Sequence, residues 1–331
     1  MNTARSVVQR PVVQSSIVRS LCSALPRSLT SALLAGLLLP ACGAEFDPGT
    51  QVDSLRVLAV RADNPFVHPG DTVRLQALSH DPAERPISWA WAACPSPAGS
   101  RVEDCLNQVR ELAGGGELPL LGMGEGLDTV DVPVPADALE GIPLEARQQS
   151  LAGVVSVACP GNLEVLNVAE RIPFRCTDRE SGAELGLHDM VVGIKRLFLR
   201  ETELNQNPVI DSVLFDGEVW PSDEVKEVDA CVTAKFAYDD CKGKAHDIAT
   251  VVSPDSFEAG VDEFGRDFSE SLIVQHYNTD GIFEDEVRIA EEPETTWVAR
   301  SSSSGSTVTL WFVARDDRGG VSWTTRRVAV R

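Results

Sequence analysis

Eight cysteines and five histidines are the residues of this 331-residue sequence with the widest chemical reach. Cys22 lies within an apolar N-terminal region and Cys42 closes it, which leaves Cys94, Cys105, Cys159, Cys176, Cys231 and Cys241. These six form three sequence-close couples, separated by 11, 17 and 10 positions. An even set of this kind reads as a disulfide framework in an oxidising compartment, and pairing of neighbours is its simplest form. The rival is a metal site. Zinc favours cysteines two to four residues apart with histidines at similarly close spacing, and no such cluster is present. Disulfides are therefore expected, and no metal ligand is assigned.

His68, His80, His188, His246 and His276 stand in turns or strands among ordinary residues. No Gly-x-Ser-x-Gly elbow and no His-Glu-x-x-His occurs, so neither a hydrolase nucleophile nor a zinc protease is signalled. The glycines of "AGGGELPLLGMGEG" follow no βα unit and precede no Gly-Lys-Ser, so they do not read as a phosphate cradle. No cofactor is called for. Calcium is the one small ligand with donors to consider. Asp316 and Asp317 lie at one turn, and Asp280, Glu284, Asp285 and Glu286 near another, without the spacing of a calcium loop. Trp220, Trp297, Trp311 and Trp323 are a possible sugar-binding face, with Trp311 and Trp323 on facing strands, although core packing explains them as well.

Charge excludes one class of partner. The chain holds 29 basic and 50 acidic residues. Four of the arginines (Arg5, Arg10, Arg19 and Arg27) fall in the acid-free first 41 residues. The remainder is therefore strongly acidic, which argues against nucleic acid and against an anionic membrane face. The first 41 residues have the form of an export signal: a basic region, the apolar run "LTSALLAGLLLP", then small residues. That run is short of the roughly 20 apolar residues needed to cross a bilayer.

Leu39-Pro40-Ala41-Cys42 resembles the lipobox of bacterial lipoproteins. The resemblance implies cleavage between Ala41 and Cys42 and lipidation of the Cys42 thiol. Leu39 and Ala41 match the motif, and Pro40 departs from it. Gly43 stands where an aspartate would, by the same resemblance, favour inner-membrane retention, so the outer membrane is implied.

From residue 55 onward the apolar period is two, as in strands. "LRVLAVRAD", "GDTVRLQALSHD" and "PISWAWAAC" are three strands divided by Pro, Gly and Asp, the pattern of a sandwich. Residues 95–126 read as an extended loop, "ADALEGIPLEARQQS" as the one helix, and "LAGVVSVAC" and "MVVGIKRLFLR" as closing strands. "PVIDSVLFDGEVW" restarts the strand pattern with a turn at Asp216-Gly217, and "SLIVQHYNTDGIFEDEV" reads as a hairpin turning at Thr279-Asp280-Gly281. In "STVTLWFVARDDRGGVSWTTRRVAVR", Val308, Leu310, Phe312 and Ala314 share one face of a terminal hairpin. This stretch, with its Asp-Asp-x-Gly-Gly turn, resembles the last two strands of immunoglobulin-like modules of the polycystic-kidney-disease type. The chain as a whole resembles surface lipoproteins of myxobacteria with tandem immunoglobulin-like domains, a likeness that implies no activity.

The expected fold is all-β: two tandem immunoglobulin-like β-sandwich domains, the first with a loop insertion and a short helix. The expected organisation is a lipoprotein signal peptide at 1–41, a tether at 42–54, and domains at 55–204 and 205–331. The expected function is a non-enzymatic, lipid-anchored protein of the outer cell envelope. It would act as an interaction or spacer module towards protein or polysaccharide. The alternatives are a calcium- or carbohydrate-binding adhesion module, and an envelope hydrolase whose site is built by residues 95–150.

Overall fold

A computed structural model of the chain describes residues 49–94, 119–166, 173–186, 188–233 and 238–331, together with Asn107 and Glu111. The leader, Ala41, Cys42 and Cys105 lie outside the described residues. Residues from Asp47 to Arg331 belong to one compact unit.

Alternating and wholly apolar runs form the strands of a first sandwich. These are β1 (Arg56–Ala62), β2 (Phe66–Val67), β3 (Thr72–His80), β4 (Ser88–Ala93), β5 (Leu120–Glu125), β6 (Thr129–Pro133), β7 (Leu151–Cys159), the hairpin β8 (Asn162–Val165) and β9 (Phe174–Thr177), and β10 (Val191–Leu199). One sheet has the order β1-β3-β6 and the other β2-β10-β7-β4-β5. Between them Leu75, Trp89, Trp91, Val154 and Leu197 are fully buried. The Trp91 indole N–H donates to the Leu127 carbonyl at 2.8 Å, so its polar atom is satisfied in the core.

A second sandwich follows. It comprises β11 (Ile210–Phe215), β12 (Glu218–Val219), β13 (Val225–Val228), β14 (His246–Val252), the hairpin β15 (Ala259–Val261) and β16 (Asp267–Ser269), β17 (Leu272–Asn278), β18 (Ile282–Phe283), β19 (Val287–Ile289), β20 (Glu294–Val298), β21 (Thr307–Asp316) and β22 (Val321–Val330). Its sheets have the orders β12-β11-β14-β20-β18 and β13-β22-β21-β17-β19. Val213, Trp220, Ile248, Val274, Trp297, Leu310 and Phe312 fill its core.

The two sandwiches share one topology. In each, a short strand beside the opening strand crosses to the opposite sheet and runs parallel to the last strand: β2 along β10, and β13 along β22. Every other pairing between strands is antiparallel. This is the Greek-key order of an immunoglobulin-like sandwich. The chain is therefore an all-β, multi-domain immunoglobulin-like protein, as its strand pattern predicts.

Three local expectations are corrected. Leu120–Glu125 is an edge strand and not loop, with Gly122 opposite Trp91 and Gly124 opposite Trp89. Glycine weakens a strand taken alone, so pairing with β4 is what makes this one. The expected helix is a single turn, Leu144–Arg147, entered from Pro143, and it is not the one helix, since Tyr238–Cys241 forms a second helical turn. Residues 272–289 do not form a simple hairpin. After β17 the chain crosses to the opposite sheet as β18, which pairs with β20, and returns as β19 beside β17. Gly281, at a φ of 108°, makes this crossing, and a Cβ there would stand 2.5 Å from the Trp297 indole nitrogen. One expectation holds: Trp311 and Trp323 lie on facing strands, with Trp311 opposite Thr325 and Trp323 opposite Val313, as diagonal neighbours.

The stretch expected as tether is docked at its described end. Gln51 forms a parallel bridge to Asn278, with Val52 N–H donating to the Asn278 carbonyl at 2.8 Å, and Val52 is buried. Two expected disulfides are present, Cys159–Cys176 and Cys231–Cys241. Cys94 is disulfide-bonded as well.

Candidate functional site

The densest convergence of buried polar chemistry lies where the two sandwiches meet. The outer face of β1 and β3 packs on the outer face of β17, β21 and β22. Leu58, Val52, Leu78, Trp311 and Tyr277 form one apolar cluster, and Ala59, Val313, Val321 and Trp323 extend it. A bulge in β1 between Val57 and Ala59 turns Leu58 and Ala59 towards the second sandwich. His80 packs on Trp311 with ring centres 4.8 Å apart, and burial lowers its pKa. The Arg315 guanidinium donates to Gln275 and to the Leu58 carbonyl, both at 2.7 Å, which ties β21 to β1.

At one end of this interface the linker 200–209, the β15–β16 hairpin and the β21–β22 turn interlock. Asn207 spans both sandwiches. Its amide N–H donates to the Ala62 carbonyl and its oxygen accepts from Val321 N–H, each at 2.8 Å. Lys195 on β10 donates to the Gly319 carbonyl at 2.9 Å, and burial pulls its pKa down to about 8. Gly319, at a φ of 103°, lets the turn approach Phe198, whose ring would lie 3.0 Å from an added Cβ. From the hairpin, Glu263 accepts the backbone N–H groups of Glu201, Thr202 and Glu203 at 3.0, 2.9 and 3.1 Å. Successive N–H groups of this kind hold a carboxylate well.

Arg318 is the centre of the junction. Its guanidinium carbon is 3.8 Å from the ring centre of Phe268 and 4.7 Å from that of Phe66, so one ring comes from each sandwich. It is paired with Glu203, with Glu270 at 3.3 Å and with Glu258 at 3.7 Å. Arg200 lies against Phe66 at 4.8 Å and reaches Glu203 at 3.7 Å. A cavity of about 210 Å³ opens among Phe66, Phe198, Arg200, Phe268 and Arg318. The Glu270 side chain is only 1% exposed. Burial, and then the neighbouring Asp316, pushes its pKa up to about 7. Burial also raises Asp316 and Glu258.

Of the sequence-level candidates, His80 and Asp316 fall within this interface, and most of the others go elsewhere. His68 contacts Asp71 and the Glu203 carbonyl, His246 contacts Asp216, and His276 contacts the Asp285 carbonyl. Among the described residues, no hydrogen bond of a histidine ring reaches a serine, threonine or cysteine side chain. His188 is exposed.

Asp316 accepts the N–H groups of Arg318 and Gly320 within its own turn. Asp280 accepts from Gly281 N–H and the Ser302 hydroxyl, and Glu284 from Tyr238 and Thr296. Among the described residues, no group of three or more His, Cys, Asp or Glu is placed to hold a metal ion. The tryptophan sugar face is overturned: Trp220, Trp297 and Trp311 are buried, and Trp323 lies half-buried under Arg61 at 4.7 Å.

Of the stretch 95–150 expected to build a hydrolase site, most of residues 95–118 lies outside the described residues. Beside it, a cleft of about 360 Å³ is lined by Ala93, Val132, Val134, Ala152 and Leu199, with Asp137 and Glu140 as its titratable groups and no histidine. Arg318, Glu263, Glu270 and Asn207 were not singled out from sequence. Arg318 alone had a signal, as the variable position of the Asp-Asp-x-Gly-Gly turn.

No protein-family model and no curated protein sequence matches the chain. Among solved structures, the tandem immunoglobulin repeats of Dlar are 12% identical, with 85% of this chain and 99% of that one covered and a TM-score of 0.25. A chimeric titin Z1Z2 tandem is 9% identical over 84% of this chain and 99% of that one, with a TM-score of 0.23. Latent PorU from Porphyromonas gingivalis is 11% identical over 84% of this chain and 24% of that one, with a TM-score of 0.22. Superpositions this loose carry no argument, and the assignment of fold rests on strand order.

Proposed function

We propose that the chain is a lipid-anchored protein of the outer cell envelope whose paired immunoglobulin-like sandwiches act, without catalysis, as an interaction or spacer module. Its partner would be an envelope protein or polysaccharide. One observation carries the module reading: the sandwiches are held sheet on sheet through Leu58, Trp311, Val313 and Arg315. Surfaces on both are thereby presented in fixed register, as a spacer or a two-site binder requires. The histidines support the same reading, because those with ring contacts spend them on structural neighbours.

Anchoring rests on Leu39-Pro40-Ala41-Cys42 and on the cysteine count. Six residues lie between Cys42 and Gly49, and these seven residue steps span at most about 25 Å. The docked segment after Gly49 touches Asn278 of the second sandwich. A lipid on Cys42 would therefore hold both sandwiches near the bilayer. Mass spectrometry of the native N-terminus tests the anchor, with a mature chain beginning at acylated Cys42 as the expected result. An unmodified terminus, or a Cys42→Ala protein that still fractionates with membrane, overturns it. Cross-linking on intact cells tests the module, and recovery of no envelope protein or polysaccharide counts against it.

A further inference from the structure

The junction holds more carboxylates than cations. Facing one another there are Glu270 at the end of the β15–β16 hairpin, Glu258 at its start, Asp316 in the β21–β22 turn and Glu203 in the linker. Arg318 is shared among three of them, and Arg200 pairs with Glu203 while Glu263 and Asp262 of the hairpin also act on it. Beyond this ring, Asp317 accepts from Ser271 N–H, and Lys195 lies within electrostatic reach of Asp316 and Arg315. Lys195 is committed to the Gly319 carbonyl, and Arg315 to Gln275 and Leu58.

The polar atoms of the cluster are also incompletely matched. Asp316 Oδ2 is buried with no hydrogen-bond partner. Asn205, 6% exposed, lies against the Asp316 carboxylate, yet both its side-chain oxygen and its nitrogen are without a partner in good geometry. Four crowded carboxylates and an orphan acceptor are relieved together by one added proton. It removes a charge from the cluster wherever it sits, and on Asp316 it would also turn the orphan acceptor into a donor.

We propose that this junction is a proton-operated clasp. One proton taken up by Glu258, Glu270 and Asp316 tightens the hairpin and the β21–β22 turn against the first sandwich, and its loss at alkaline pH loosens them. Glu270 is the principal holder, with its pKa pushed up to about 7. The folded chain keeps this proton where the unfolded chain has released it. The stabilisation is complete below the ordinary carboxylate range and is lost as pH rises through about 7. The consequence is a change in how firmly the two sandwiches are held, in a protein whose proposed role depends on that register.

The test uses the full-length chain in detergent and the variant Glu270→Gln, whose side chain is neutral at every pH. The buried His276 contributes a slope of its own in acid, but it is common to both proteins and cancels in their difference. At pH 4.5 the two should unfold at the same temperature. By pH 8 the variant should unfold roughly 5 °C higher. At pH 8 the backbone amides of residues 201–203 and 319–321 should also exchange about tenfold more slowly in the variant.

A variant that is no more stable than the wild type at pH 8 overturns the proposal. So does a gain in stability with no slowing of exchange at those amides, since the cluster would then tune the fold without working the junction.

Discussion

The two sandwiches have the same strand order and solve one problem in different ways. In each, the sheet ending in the parallel strand carries apolar side chains on both faces and must cover its outer side. The first sandwich covers its own. The β8–β9 hairpin, pinned by Cys159–Cys176, lays Leu163, Phe174 and Cys176 over Ala90, Val155 and Val157. Among the described residues the second has no such hairpin on that sheet, and the first sandwich covers it at Trp311, Val313 and Val321. A wholly apolar strand therefore signals a covered sheet without saying what covers it.

The cores differ too. At the central position where β4 places Trp89 and Trp91, β17 places His276. Its ring lies between Phe283 and Phe312, with centres 5.0 and 5.8 Å away.

The comparison can be broken most forcefully by emptying each core in turn. Trp91→Ala and Trp297→Ala should each cost about 3–5 kcal/mol. Because the sandwiches share a buried interface, both should lower a single calorimetric transition. Two transitions, each sensitive to only one substitution, would mean that the sandwiches unfold independently.

The next effect separates the sandwiches by pH. Burial lowers the His276 pKa to about 4, so the folded chain refuses a proton that the unfolded chain binds from about 6.5 downward. Stability is whole above that value and falls by about 3 kcal/mol as pH drops through 4. His276→Phe should flatten this acid limb, read as the difference between the two unfolding profiles. Among the described residues, the first core is lined by apolar side chains alone, and the buried Lys195 of that sandwich lies at the interface, outside its core.

The smallest effect sharpens the contrast between the tryptophans. Trp91 donates to Leu127, whereas the Trp297 indole nitrogen is buried with no partner. Trp91→Phe should therefore cost about 1–2 kcal/mol more than Trp297→Phe in denaturant melts, since only the former strands a carbonyl.

Much of this was legible in the sequence, for local reasons. Alternation at Leu55–Asp63 and Thr72–His80 located strands, and Asp216-Gly217 located a turn through two positive φ angles. The couples Cys159–Cys176 and Cys231–Cys241 were readable from proximity. Leu120–Glu125 was not, because two glycines mask a strand that only β4 completes. Nor was the crossing at Gly281, since "NTDG" is as good a hairpin turn as it is a change of sheet. The junction left the least trace. Arg318, Glu203 and Glu270 are ordinary surface residue types, and they become a cluster only when the linker, a hairpin and a turn are brought together.

The sequence by itself determined the long alternating strands, the sandwich class and two of the disulfides. Each depends on spacing along the chain, which periodicity, turn residues and short loops report directly. Tertiary structure alone decided which faces are covered, that Trp311 supports an interface and not a sugar platform, and that Arg318 is clasped by three carboxylates. Those outcomes depend on the burial of atoms more than 40 residues apart, and local sequence carries no record of a desolvation that only the packed chain imposes.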